Sequence, residues 1–146
     1  MTVHLLDANV LLSLAWPQHV HHAPAHEWFR HTGNKAWATC PITQLAFIRI
    51  SSNSKIVTEA VSPGAARELL QHIIELPHHH FWADDVPPIV AEVLAGTALA
   101  GHRQVTDAYL VALAQHHRGK VATFDRGLAE LVRPTDRAQC VAIIAA

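Results

Sequence analysis

The chain has 146 residues, half of them apolar and 16% charged, enough to bury a core without disulfides or a structural metal and too apolar for a disordered segment. Its formal net charge of −1 argues against a general nucleic-acid coat, which is strongly basic, and leaves room for contact through one local patch. The 13 histidines would turn the surface positive as the pH falls towards about 6.

No internal repeat or Gly/Ser linker divides the sequence, so one domain over residues 1–146 is expected. The N-terminus has no basic leader, and no run approaches the roughly 18 apolar residues of a membrane span. A cytoplasmic protein with no membrane contact is therefore expected, with Cys40 and Cys140 as reduced, buried thiols.

Val3 to Leu6 reads as a short buried strand ending at Asp7, and Ala8 to Ala15 as a helix stopped by Trp16-Pro17. A helix follows over His19 to Arg30, with Ala25, Trp28 and Phe29 inward, then a turn at Gly33-Asn34. Ala36 to Cys40 is the next strand. Pro41 suits the first turn of a helix through Ile50, whose apolar positions predict deep burial. Residues 51–62 are polar and irregular, and Pro63-Gly64 opens a helix through Glu75. Pro77 and His78-His79-His80 read as a connection, and Phe81 to Ala83 as a short strand. After Pro87-Pro88 a helix is expected from Ile89 to Ala95, with Gly96 to Gly101 a helix end or loop. Gln104 to His117 is the clearest helix, apolar nearly all round and so in the core, ended by Gly119. Lys120 to Phe124 is a strand, Gly127 to Val132 a short helix, and Gln139 to Ile144 a last strand. Strands alternating with helices predict an α/β fold with a mostly parallel central sheet flanked by helices.

Asp7 and Asp125 each follow a short apolar strand, and in a parallel sheet the carboxyl ends of the strands share one rim where ligands bind. Asp107 falls in the first turn of the buried helix, where the helix terminus favours an ionised acid. Either strand-end Asp alone reads equally well as a helix cap, and Asp107 alone as a solvated first-turn acid. Together they form a set of mutually repelling carboxylates that a hard divalent cation, Mg²⁺ or Mn²⁺, would relieve. Such an ion supports hydrolysis of a phosphodiester by an activated water.

Four segments carry a resemblance. Leu5-Leu6-Asp7-Ala8-Asn9-Val10, Cys40-Pro41-Ile42-Thr43-Gln44-Leu45, Val105-Thr106-Asp107-Ala108-Tyr109-Leu110 and Thr123-Phe124-Asp125-Arg126-Gly127 follow one another as the motifs of PIN-domain proteins do. The set resembles the VapC-type toxins of bacterial toxin–antitoxin modules. The resemblance implies a PIN-like fold and metal-binding carboxylates at Asp7, Asp107 and Asp125. It implies supporting roles for Asn9, Thr106 and Thr123. It also implies an Mg²⁺- or Mn²⁺-dependent endoribonuclease, a homodimer, and a cognate antitoxin that blocks the site. One position departs: the second motif usually carries Glu, and here stands Gln44. Its carboxamide can accept hydrogen bonds or touch a metal but adds no charge, so Gln44 is expected to hold a water of the metal shell or the substrate, with weaker metal affinity. Asp84 or Asp85 is the alternative source of the missing charge. Gln44 also keeps open a catalytically weakened PIN domain that works by binding RNA or protein. A nucleotide-binding domain would want a Gly-rich phosphate loop, which is absent.

Arg103 and Arg126 flank the acids in sequence and are candidates for guiding RNA through its phosphates, against the plain reading of solvated charge; Arg49, in a mostly apolar helix, reads as structural. His19, His21, His22 and His26, and His78 to His80, lack zinc-motif spacing and read as polar loop histidines, although His22 and His26 lie one helical turn apart. Trp16, Trp28, Trp37 and Trp82 suit an interface or the core.

Overall fold

Five short strands, all parallel, form one sheet in the order β3-β2-β1-β4-β5. They are β1 (His4–Leu6), β2 (Trp37–Thr39), β3 (His79–Phe81), β4 (Lys120–Thr123) and β5 (Val141–Ile143). The helices are α1 (Ala8–Ala15), α2 (His22–His31), α3 (Pro41–Ser51), α4 (Pro63–Ile74), α5 (Val105–His116), α6 (Arg126–Ala129) and α7 (Arg137–Cys140). The computed structural model describes residues 1–95 and 101–146. The expectation for 96–100 lies outside the described residues, as does the side chain of Arg103.

The expected α/β fold, a parallel sheet flanked by helices, is what forms, and both faces of the sheet are covered. Leu5 and Val121 pair in register, as do Leu6 and Ala122. Leu5 and Val121 belong to one apolar cluster with Leu110, Leu113 and Val141, and Leu6 and Ala122 to another with Val10, Leu11, Phe47 and Ile144. Successive strand residues point to opposite faces, so a strand covered on both sides must be apolar throughout. That is why Leu5-Leu6 of β1 and Val121-Ala122 of β4 are apolar on both faces.

The chain runs outward from β1 through β2 to β3, then returns past β1 to β4 and β5. The reversal falls between β1 and β4, the point beyond the strand ends where sheets of this kind form their ligand crevice. Asp7 follows β1 there, Asp125 lies two residues beyond β4, and α5 leads into β4.

α5 buries seven consecutive residues, Ala108 to Ala114, as an all-apolar helix must. Its exit is made by Arg118, which takes a positive φ of 57°. Gly119 is needed for space: a Cβ there would lie 2.5 Å from the Val3 carbonyl oxygen and 2.6 Å from the Trp82 ring.

Several elements differ from the sequence reading. The His78 to His80 connection is strand: β3 covers His79–Phe81, paired with β2 through Trp37 and His79. It is the sheet edge with His80 and Phe81 exposed, so it lacks the apolar run that marks β1. The helix expected over Ile89 to Ala95 is two separate 3-10 turns, Pro88–Val90 and Glu92–Ala95. Ile89 and Val90 are exposed while Val93 and Leu94 pack on the core, so the two turns do not share one apolar face. α2 starts at His22 rather than His19, and the last strand starts at Val141 because Arg137–Cys140 makes a helical turn. α3 is less buried than its composition implies: Leu45 is 62% exposed. Cys40 and Cys140 are free and buried. Trp37 and Trp82 are core residues, and Trp16 and Trp28 pack against the core half-buried.

Candidate acidic site at the rim of the sheet

Asp7 is the first residue after β1 and is only 8% exposed. Its N–H bonds to the Ala122 carbonyl at 3.0 Å, which extends the β1–β4 ladder by one step. It stands at the N-cap of α1, yet its side chain makes no capping bond. Its Oδ2 instead accepts the Thr123 hydroxyl at 2.7 Å. A cap alone therefore does not explain Asp7.

Thr123, fully buried at the end of β4, works in two directions. Its hydroxyl donates to Asp7, and its oxygen accepts the Asp125 N–H at 3.0 Å. One hydroxyl thus fixes the Asp7 carboxylate and the backbone entering Asp125. Asp125 does cap: its Oδ1 accepts the Gly127 N–H at 2.8 Å. The capping reading holds there, and the capped carboxylate still faces the other two acids electrostatically.

Asp107, in the first turn of α5, completes the set. Burial, then the charges of Asp7 and Asp125, push its pKa up to about 6. The helix terminus does not hold the Asp107 pKa at its ordinary value: desolvation and two like charges outweigh a terminal dipole that screening weakens. Burial also raises the Asp7 pKa and the Asp125 charge adds to it, while the Thr123 hydroxyl and the Ala8 N–H pull the other way. The mutual repulsion expected from sequence is present.

The other sequence candidates fall in different places. Gln44 lies in the first turn of α3 and donates through Nε2 to the Thr39 hydroxyl oxygen at 3.0 Å. That hydroxyl also pairs with His79 Nε2 at 2.7 Å. Gln44 is thus held at the end of β2 by a threonine–histidine link that the sequence did not reveal. Its signal was a histidine on an edge strand in register with Trp37. Thr106 is exposed beside Asp107. Asn9 lines a cavity of about 460 Å³ with Leu12, Trp16, Ile50, Ile56 and Glu59. Arg126 is exposed directly after Asp125. Phe124, just before Asp125, stacks on His21 with ring centroids 4.4 Å apart, a pairing no local pattern announced. Asp85 does not join the acids, since its carboxylate faces the histidines at the far end of α5. His22 and His26 turn ring nitrogens to the carbonyls of Ser13 and Leu14, as polar structural histidines do.

The donors at the rim are all oxygens, which suits a hard cation. Among the described residues the three carboxylates do not bring their oxygens within 4.8 Å of one another. An ion such as Mg²⁺, which keeps several waters and uses few direct carboxylates, fits that spacing. It would also relieve the charge that raises Asp107.

The PIN domain pattern matches residues 4–134. The chain belongs to the PIN-domain family. Within it the chain is of the VapC type. It is 45% identical over 126 residues to Ribonuclease VapC39 of Mycobacterium tuberculosis (strain ATCC 25618 / H37Rv), covering 86% of this chain and 91% of that one. Ribonuclease VapC29 of the same strain is 43% identical over 131 residues, covering 90% and 91%. Ribonuclease VapC38 is 40% identical over 129 residues, covering 88% and 89%. Among solved structures, that of FitAB bound to an IR36 DNA fragment shares the fold, with a TM-score of 0.63 at 20% identity over 97% of this chain and 94% of that one.

Proposed function

We propose that residues 1–146 form one PIN domain that works in the cytoplasm as a metal-dependent endoribonuclease toxin, cutting RNA phosphodiester bonds until a cognate antitoxin blocks it. The observation that carries this reading is the convergence of Asp7, Asp107 and Asp125, from three distant segments, at the β1–β4 crevice with their repulsion unrelieved. The names of the VapC relatives support the substrate class.

In this reading Asp7, Asp107 and Asp125 hold one or more Mg²⁺ or Mn²⁺ ions. Such an ion lowers the pKa of a bound water and offsets charge on the phosphate. Thr123 positions Asp7 and Asp125 together. Thr106, beside Asp107, and Asn9, two residues after Asp7, are supporting groups. Gln44 orients water or substrate with its carboxamide, held in place by Thr39. Arg126 and Arg103 guide the RNA backbone. The chain pairs as a homodimer.

The test incubates the purified chain, free of any co-expressed partner, with total RNA in Mn²⁺, Mg²⁺ or EDTA, beside Asp7→Asn. Metal-dependent cleavage that disappears in Asp7→Asn is expected. Absence of cleavage with either ion while RNA still binds overturns the enzyme and leaves a binding module.

A further inference from the structure

α5 carries a second group of metal-ligating side chains at its other end. His116 is its last residue and His117 its C-cap. The two Nε2 atoms each lie 3.8 Å from the same oxygen, Asp85 Oδ1. Ligand atoms of the three residues all fall within 4.8 Å of one another, the one such triad of His, Cys, Asp or Glu among the described residues.

That separation is informative. At 3.8 Å none of these pairs is a hydrogen bond. Two ligands on a tetrahedral zinc, with bonds of about 2.0–2.1 Å, stand roughly 3.4 Å apart. Asp85 and His116 are about half exposed, so their side chains can move to close the few tenths of an ångström left in the two Asp85 pairs and to bring the two imidazole nitrogens, within 4.8 Å of each other, into ligand spacing. His117 Nε2 is shielded from water and has no hydrogen-bond partner. A buried polar nitrogen without a partner is costly, and a ligand bond would satisfy it.

The surroundings hold the group in place. Trp82, 7% exposed, stacks on the His117 ring with centroids 4.3 Å apart and planes 9° from parallel. The segment bearing Asp85 is pinned by the Tyr109 hydroxyl, which donates to the Val86 carbonyl at 2.8 Å. Other histidines are engaged: His19 and His22 with Ser13, His26 with Leu14, His79 with Thr39.

We propose that Asp85, His116 and His117 form a binding site for a borderline divalent cation of the zinc class, separate from the oxygen-only group around Asp107. Two imidazoles and one carboxylate select zinc, nickel or cobalt over Mg²⁺. Three protein ligands leave a fourth position for water. The ion would tie the segment after β3 to the end of α5.

The experiment titrates the full chain with Zn²⁺ alone, in excess Mg²⁺, by calorimetry and by amide NMR shifts, beside Asp85→Asn and His116→Gln. Both variants change exposed side chains and spare the Trp82–His117 stack. The expected result is one zinc equivalent that Mg²⁺ does not displace, with shifts confined to residues 84–86 and 115–119. Each variant should weaken it about tenfold or more, as loss of even an outer-shell partner does. X-ray absorption should report nitrogen and oxygen at about 2.0–2.1 Å. No zinc uptake, uptake unchanged in the double variant, or shifts centred on 19–26 or 78–80 would overturn the site.

Discussion

The two ends of α5 gather metal-ligating groups by opposite means. At the first turn Asp107 meets Asp7 and Asp125, residues delivered by strand ends and far apart in sequence. At the last turn His116 and His117 are neighbours in the chain and meet Asp85 from a loop. The nine-residue step from Asp107 to His116 corresponds to about 14 Å of helix. The first group is all oxygen and burdened with like charge. The second is mostly nitrogen and includes an atom that lacks a partner. One helix with a buried middle can thus present two unlike coordination chemistries, because only its ends leave the core.

The strongest way to break this comparison is to remove one end and read both. Asp7→Asn should cut RNA cleavage about 100-fold or more, since even outer-shell partners of a metal ligand cost 10–100-fold. Zinc uptake at Asp85, His116 and His117 should be unchanged in the same variant. Loss of both would mean that the two ends are one coupled unit.

Thr123→Val comes next. It removes the donor to Asp7 and leaves the Asp125 N–H without its acceptor. Stability should fall by about 1–3 kcal/mol, measured by urea unfolding, and Mg²⁺ affinity by about 10–100-fold. A variant with wild-type metal affinity would show that Asp7 is held without the hydroxyl.

The pH dependence of the metal-free protein sharpens the contrast. An acid whose pKa rises on folding binds its proton more tightly folded than unfolded, so stability drops as pH climbs through that interval. For Asp107 the interval runs from 3.8 to about 6. The metal-free chain should therefore lose stability between those pH values, and Asp107→Asn should flatten the profile and exceed the wild type in urea midpoint at neutral pH. Equal profiles would mean that the acids are not coupled.

The smallest effect is expected from Gln44→Glu. A fourth negative group near the rim should raise Mg²⁺ affinity modestly in calorimetry, and unchanged or lower affinity would remove Gln44 from the metal's surroundings.

The sequence disclosed what depends on burial and little of what depends on edges. β1, β4 and α5 were legible because both faces are covered and their central positions are apolar. The three acids were legible because they stand where such elements begin or end. β3 was not, because an exposed edge built from histidines carries neither alternation nor an apolar run. The 3-10 turns after Pro87 were not, because Ile89 and Val90 resemble helix core and lie on the surface. Asp85 was weighed as a stand-in for the missing Glu, yet its partners are histidines that only tertiary packing brings to it.

The parallel pairing of β1 with β4 also sets a schedule. Asp7 is synthesised 118 residues before Asp125, and β1 meets β4 only after α5 has been made. At about 5–20 residues per second the ribosome spends roughly 6 to 24 seconds between the two aspartates. Throughout that interval a growing chain has its first acid and not its last. Each new copy therefore lacks the assembled acid trio until β4 and the residues just after it have been translated.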